Sequence, residues 1–300
     1  MNLWQLNIFC KVIELKSFSK AGKEICISQP TISSHIKDLE NYFNCRLIDR
    51  LGKEAVPTKT GNILFLYAKR MLSLKNEAET AIFEFHGQIK GRLVIGGSTI
   101  PGTYILPQYI GSFINNFPDV KISLLIGDTK EIINKIINRE IEIGIVGSKS
   151  TSKQIDQKKI FKDQICLVVK KNHKWADKKS IDLKMLINEP FIIREKGSGT
   201  LDSIQKNLSD NNYSLNDLNI IAEMGSTSAV CQGIKQGIGV SILSKIAVSE
   251  ELKHGSLKAI MVEGINPCRF FYLTSHKNLN KSPLCNKFND FIISNIKKHT

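Results

Sequence analysis

Ser28-Gln29-Pro30-Thr31-Ile32-Ser33-Ser34-His35-Ile36-Lys37 reads as the opening turns of a helix. Ser28 is a hydroxyl N-cap, and Pro30 falls in the first turn, where its missing N–H costs no intrahelical bond. Ile32, Ile36, Leu39 and Phe43 make one apolar stripe, which turns Gln29, Thr31, Ser33, Ser34, His35 and Lys37 outward. A polar tip of this kind suits the DNA major groove. Glutamine pairs with adenine N6 and N7, hydroxyls serve several base edges, and the threonine methyl can meet that of thymine. Taken alone, the pattern fits equally well a small helical interaction domain with a solvated face.

Upstream, Leu3, Leu6, Phe9, Val12 and Ile13 recur at helical spacing, and Ser17-Phe18-Ser19 caps a second short helix that buries Ala21, Ile25 and Ile27. Downstream, Arg46–Arg50 and Glu54–Thr58 are two extended runs around Leu51-Gly52-Lys53, the pattern of a hairpin wing. Arg50 and Lys53 would lie near a phosphate backbone if the third helix entered the groove, although a solvated surface charge is the plainer reading of either cation alone.

From Thr58 a single long helix is predicted, with Leu64, Tyr67, Met71, Leu74, Ala78, Ala81 and Phe85 at alternating spacings of three and four. At about 1.5 Å per residue it would run for roughly 40 Å, and its one-sided pattern asks for a second copy, the alternative being packing on its own chain. Such pairing would hold two reading helices about 34–36 Å apart, or a multiple of that, as half-site recognition requires.

Ser17-Phe18-Ser19, Ser28-Gln29-Pro30-Thr31-Ile32-Ser33, Ile36-Lys37-Asp38-Leu39-Glu40, Leu47, Arg50 and Thr58 with Gly61 together resemble a LysR-type transcriptional regulator. The resemblance implies an α/β protein with an N-terminal winged helix-turn-helix, a linker-helix dimer, and a two-lobed effector domain of the type II periplasmic-binding-protein kind, in a homodimer or homotetramer. It implies double-stranded DNA as partner, with Ser28, Gln29, Pro30, Thr31, Ser33, Ser34, His35 and Lys37 at the groove and Arg50, Lys53 and Thr58 near phosphates. Gly22 departs from the family's usual alanine and would soften the second helix by roughly 1 kcal/mol.

Residues 1–58 are thus expected to form the DNA-binding domain, 59–87 the dimerising linker and 88–300 the effector domain. After Gly87 and Gly91, apolar strands alternate with helical patterns in two sets, predicting βα repetition over a parallel sheet. By the resemblance, lobe I spans 91–162 and 266–300, lobe II spans 163–265, and the crossovers lie near 160–164 and 264–268. Ligands of such folds bind beyond the strands' carboxyl ends, where helix N-termini converge. Three segments join glycine to hydroxyls there: Gly96-Gly97-Ser98-Thr99, Gly197-Ser198-Gly199-Thr200 and Gly225-Ser226-Thr227-Ser228. Their N–H groups and hydroxyls favour a small anionic effector, against the plain alternative of ordinary caps and turns. The resemblance puts Ser98, Thr99 and Thr200 at effector positions. Arg194 could meet a ligand carboxylate, but a surface pairing with Glu195 or Asp202 is the preferred expectation.

The composition supports a folded, two-domain chain: 300 residues, 42% hydrophobic and 23% charged. No apolar run approaches a membrane span and no cleavable leader is visible, so a cytoplasmic protein without a membrane partner is expected. The net charge of +14 is spread along the chain, with 13 basic and 9 acidic residues in 1–90 and 29 and 19 in the rest. It therefore carries little weight as a sign of nucleic-acid binding. Seven scattered cysteines without a C-x-x-C motif read as small buried hydrophobes, with neither a disulfide framework nor a metal site. No nucleophile, acid–base pair, Walker loop or dinucleotide fingerprint appears, so neither catalysis nor a cofactor is expected. Two other classes stay open at this point: a solute-binding protein whose N-terminal helices only oligomerise it, and an α/β enzyme with a helical appendage.

Overall fold

The computed structural model describes residues 1–51 and 54–296; Lys53 lies outside them. Two compact units emerge, one built on Met1–Gly87 and a larger one on Gln88–Ile137 and Ile141 onward.

In the first unit, α1 (Leu3–Leu15), α2 (Phe18–Glu24) and α3 (Gln29–Phe43) are followed by the antiparallel hairpin β1 (Ile48–Leu51) and β2 (Glu54–Pro57), then by α4 (Lys59–Phe85). Asn2, Ser17 and Ser28 cap the three short helices through their side chains. Leu6, Phe9, Val12, Ala21, Ile32, Ile36 and Leu39 close over Leu47 and Ala55 in one core. The wing is anchored to this core, for the Ala55 N–H donates to the Lys16 carbonyl at 2.9 Å. Ile25 and Ile27 are only half-buried and lie beyond the end of α2. Gly22 is buried, and a Cβ there would come 2.7 Å from the Ile27 carbonyl oxygen. Glycine at this position lets the turn after α2 close, rather than merely loosening the helix.

The linker helix has two halves with different surroundings. Leu64 and Ala68 are buried in the unit's own core, so Leu64 is a core residue and not part of a free dimerisation seam. Its side chain meets α1-side apolar groups because the first turns of α4 are packed against that helix. Tyr67, Met71, Leu74, Ala78, Ala81 and Phe85 are all exposed, Leu74 at 64% and Phe85 at 88%. Ile63 and Ile82, absent from the expected seam, are exposed too.

The second unit is a mixed α/β fold. Lobe I holds β3 (Gly91–Ser98), α5 (Leu106–Asn116), β4 (Val120–Gly127), α6 (Thr129–Ile137) and β5 (Ile143–Val146). Then β6 (Ile155–Lys170) runs for 16 residues into lobe II. There follow β7 (Ser180–Asp182), α7 (Leu183–Ile187), β8 (Phe191–Arg194), α8 (Gly199–Asp210), β9 (Ile220–Met224), α9 (Thr227–Lys235), β10 (Ser241–Ser244), α10 (Ser249–Lys253) and β11 (Leu257–Glu263). The chain returns through β12 (Cys268–His276) and ends in α11 (Pro283–Ile296).

The expectation of a parallel sheet needs correcting. The main sheet is mixed, in the order β4-β3-β5-β12-β6-β11-β7 with β10 also on β6. The β3 pairings are parallel, but β12 is antiparallel to both β5 and β6, and β10 and β11 are antiparallel to β6. A returning strand that must lie beside β5 and β6 runs against them. The first half of β6, Ile155-Asp156-Gln157-Lys158-Lys159, has no apolar run and so gives no strand signal in the sequence. Residues 155–164 of β6 pair with β12, whereas 165–170 pair with β10 and β11. Each lobe has its own core, around Leu93, Phe113, Phe271 and Phe288 in one and Leu167, Trp175, Phe191 and Leu208 in the other.

Gly61 offers a direct test of the first unit's packing. A Cβ at Gly61 would lie 2.0 Å from the Leu47 carbonyl oxygen, a backbone atom with nowhere to move. Gly61→Ala is therefore expected to destabilise this unit by about 1–3 kcal/mol despite alanine's better helix propensity. Chemical denaturation of the variant measures it, and an unchanged or raised midpoint would contradict the packing.

Candidate functional site

Two sites stand out, one in each unit. At the start of α3 the Ser28 hydroxyl oxygen accepts the Thr31 N–H at 3.3 Å and lies 2.7 Å from the Thr31 hydroxyl, so both side chains help build the cap. Gln29, Pro30, Thr31, Ser34 and Lys37 are exposed, and Ser33 and His35 half-buried. The Gln29 amide donates to Ser33 Oγ at 3.2 Å, and Arg50 Nη2 reaches the same oxygen at 3.4 Å. Arg50 also lies over the Phe18 ring at 4.4 Å. The wing arginine is thus held against the α3 face rather than standing free at the hairpin tip. His35 Nδ1 is buried without a hydrogen-bond partner, which removes that nitrogen from the outer surface. Thr58 is tied up as well: its hydroxyl donates to the Arg46 carbonyl and accepts the Gly61 N–H, both at 2.9 Å, so it caps α4.

The second site is a small cleft in the effector unit, partly open to solvent. Ser98 and Thr99 enter it from the end of β3, and Ser198, Gly199 and Thr200 from the start of α8. All but half-buried Thr99 are buried. Ser198 caps α8, its hydroxyl accepting the Thr200 N–H at 3.3 Å. Gly197, Ser226 and Thr227 do not line the cleft. Ser226 caps α9, and Thr227 is spent on Arg194.

Arg194 pairs with Glu195 as expected, but the arginine is buried rather than at the surface. It is 1% exposed, with Nε and Nη2 forming a fork on the Glu195 carboxylate at 2.7 and 2.6 Å. Nη1 donates to Thr227 Oγ1 at 2.6 Å and Nη2 to Thr99 Oγ1 at 3.3 Å. It is buried because four donor contacts compensate its desolvation. The arginine links β8 of lobe II to the end of β3 in lobe I. A further link joins Ser148 Oγ to Asp202 at 2.9 Å.

Sequence reading missed Thr129, Gly147, Arg269 and Phe271, all of which line the cleft. Arg269 and Asp163 lie at the two anticipated crossovers and carry opposite charge, a signal that could have found them. Cys26 is exposed, contrary to the expectation that every cysteine is buried, whereas Cys10, Cys231 and Cys285 are buried. Burial pushes the Cys10 thiol up to about 12, far from the thiolate form. Among the described residues no His, Cys, Asp and Glu group could hold a metal ion, and no helix is long and apolar enough to cross a membrane.

Residues 3–62 match the bacterial regulatory helix-turn-helix proteins of the lysR family, and residues 86–297 match the LysR substrate binding domain. The chain belongs to the LysR family of transcriptional regulators. It is 32% identical over 284 residues to the uncharacterized HTH-type transcriptional regulator MJ0300 of Methanocaldococcus jannaschii, covering 95% of this chain and 96% of that protein. The LysR regulator CbnR has the same fold along nearly the whole chain, with a TM-score of 0.74 at 18% identity and 97% and 98% of the two chains covered. The regulatory domain of Synechocystis PCC6803 CcmR, in complex with 2-PG, aligns with a TM-score of 0.64 at 25% identity, covering 69% of this chain and 97% of that domain.

The Arg194–Glu195 fork gives the LysR effector unit a pH signature. Burial alone would raise the Glu195 carboxyl, but the Arg194 guanidinium more than offsets this and holds it below the ordinary glutamate range. A depressed carboxylate stabilises the fold above its unfolded pKa, about 4.3, and loses that contribution as pH falls through the lower folded value. Thermal melts of the wild type are expected to fall more steeply below about pH 4.3 than those of Glu195→Gln. Parallel curves would show that the fork contributes nothing.

Proposed function

We propose that this LysR-family chain regulates transcription by binding double-stranded DNA as a homodimer or homotetramer and by sensing a small anionic metabolite in the cleft of its effector domain. Residues 1–58 read DNA, 59–87 pair with a second copy, and 88–300 bind the effector. Exposed Gln29, Thr31 and Ser34 at the tip of α3 would contact bases. Ser28 and Pro30 build that tip, Ser33, His35 and Lys37 flank it, and Arg50 and Lys53 add phosphate contacts. The exposed apolar series Tyr67, Met71, Leu74, Ala78, Ala81 and Phe85 on α4 supports pairing, since water is a poor neighbour for Leu74 and Phe85.

The observation that carries the effector half of the reading is the cleft itself, where buried hydroxyls and the start of α8 face a confined volume. The CcmR regulatory domain, which binds 2-PG, supports a small-molecule ligand in a fold of this kind. The reading assigns the chain no catalytic role and no cofactor, and it puts the protein's work in the cytoplasm.

Footprinting at fixed salt tests the DNA half. Two protected half-sites about 34–36 Å apart, or a multiple, are expected, and a monomer with no preferred fragment would contradict it. Gln29→Ala should cost about 1–3 kcal/mol on the best site and relax base preference there. Lys53→Ala should weaken all sequences alike and lower the salt slope by about one. Equal losses on specific and random DNA for Gln29→Ala would show that the α3 tip does not read bases.

A further inference from the structure

Arg269 is 8% exposed and sits on β12 directly opposite Asp163 of β6. Its Nε donates to Asp163 Oδ2 at 2.7 Å, and the other carboxylate oxygen takes the Ser244 hydroxyl at 2.9 Å. Nη1 reaches Thr200 Oγ1 at 3.2 Å and the Gly199 carbonyl at 3.4 Å. The guanidinium stands 5.2 Å from the centre of the Phe271 ring. These contacts fix the fork and leave one terminus over: Nη2 is buried with no partner in the chain. Among the described residues the only other buried side-chain nitrogen or oxygen in that condition is His35 Nδ1, in the other unit.

A buried guanidinium N–H without an acceptor is rare in folded proteins and calls for one. Arg269 lines the same cleft as Ser98, Thr99 and Thr200. Both arginines of this cleft, Arg194 and Arg269, are already matched by carboxylates, Glu195 and Asp163. What the cleft has in excess is therefore hydrogen-bond donors rather than net charge. An oxyanion is the group that takes several donors at once in so small a space, and a planar arginine terminus suits it.

Resting on the reading of this cleft as the ligand site, we infer that Arg269 is its anion-recognising residue. Nη2 donates to an oxygen of a carboxylate, sulfate or phosphate head group, while Asp163 and Ser244 act as positioning residues behind it. Because the head group alone satisfies Nη2, a simple inorganic or two-carbon oxyanion binds without the rest of the natural ligand.

The full-length protein is titrated calorimetrically with sodium sulfate, sodium phosphate and sodium glycolate, against sodium chloride at matched ionic strength. At least one of the three is expected to saturate where chloride does not, and which one does distinguishes the sources of the head group. Arg269→Lys keeps a cation opposite Asp163 but removes the fork, and is expected to weaken that anion at least tenfold. Should Arg269→Lys not fold, wild-type crystals soaked in the saturating anion decide the matter: an anion within hydrogen-bond distance of Nη2 supports the inference, and one bound elsewhere overturns it. Saturation by none of the three also overturns it. So does undiminished binding in a folded Arg269→Lys, which would leave the regulator reading intact. Failure of that reading would show instead as DNA binding without site preference in the footprints.

Discussion

The ion pair between Asp163 and Arg269 is the constraint on which the effector unit's geometry depends. It joins β6 and β12, the two strands that carry the chain out of lobe I and back, at the point where β6 changes partners. From there Ser244 ties it to β10 and Thr200 ties it to the start of α8. Both charges are almost wholly buried, so their desolvation must be met by this particular set of contacts, and removing one partner of such a pair typically costs about 3–5 kcal/mol. The position of Ser198, Gly199 and Thr200 relative to Ser98 and Thr99 follows from that crossing, because the same guanidinium touches α8 and belongs to β12.

Two further links between the lobes, beside the cleft, are weaker in kind. Thr99 receives one N–H of Arg194 at 3.3 Å, and Ser148 donates to Asp202 at the surface. A ligand entering the cleft would meet hydroxyls and amides that already hold the lobes together, so its binding would alter contacts spanning both. That is what a ligand-responsive regulator needs: the effector must interact differently with two arrangements of the protein, and DNA must then favour the ligand-bound arrangement by the same free energy as ligand favours the DNA-bound one.

Much of this was legible in the sequence because it rests on local signals. The hydroxyl caps at Ser17 and Ser28, the apolar stripe of α3 and the one-sided pattern of α4 are readable from spacing alone. The loop Ser198-Gly199-Thr200 is legible for the same reason, since a cap leaves its signature within four residues, and Ser98-Thr99 through glycine and hydroxyls at the end of an apolar strand run. What escaped depends on distant pairing. The polar half of β6 is a strand only because β12 lies beside it, and Arg194 is buried only because Glu195, Thr99 and Thr227 converge on it. Leu64 belonged to the right periodicity but to the wrong surface: packing against α1, not spacing, decides where its side chain goes. Thr58 resembled a phosphate contact and serves as a cap.

The central claim is that ligand in the cleft and DNA at α3 act on one equilibrium. The most direct measurement compares two ratios on the full-length protein at one salt concentration: the DNA affinity with and without a saturating cleft ligand, and the ligand affinity with and without the preferred DNA fragment. The account predicts the same factor in both, different from one. Ligand affinity that is indifferent to bound DNA would contradict it.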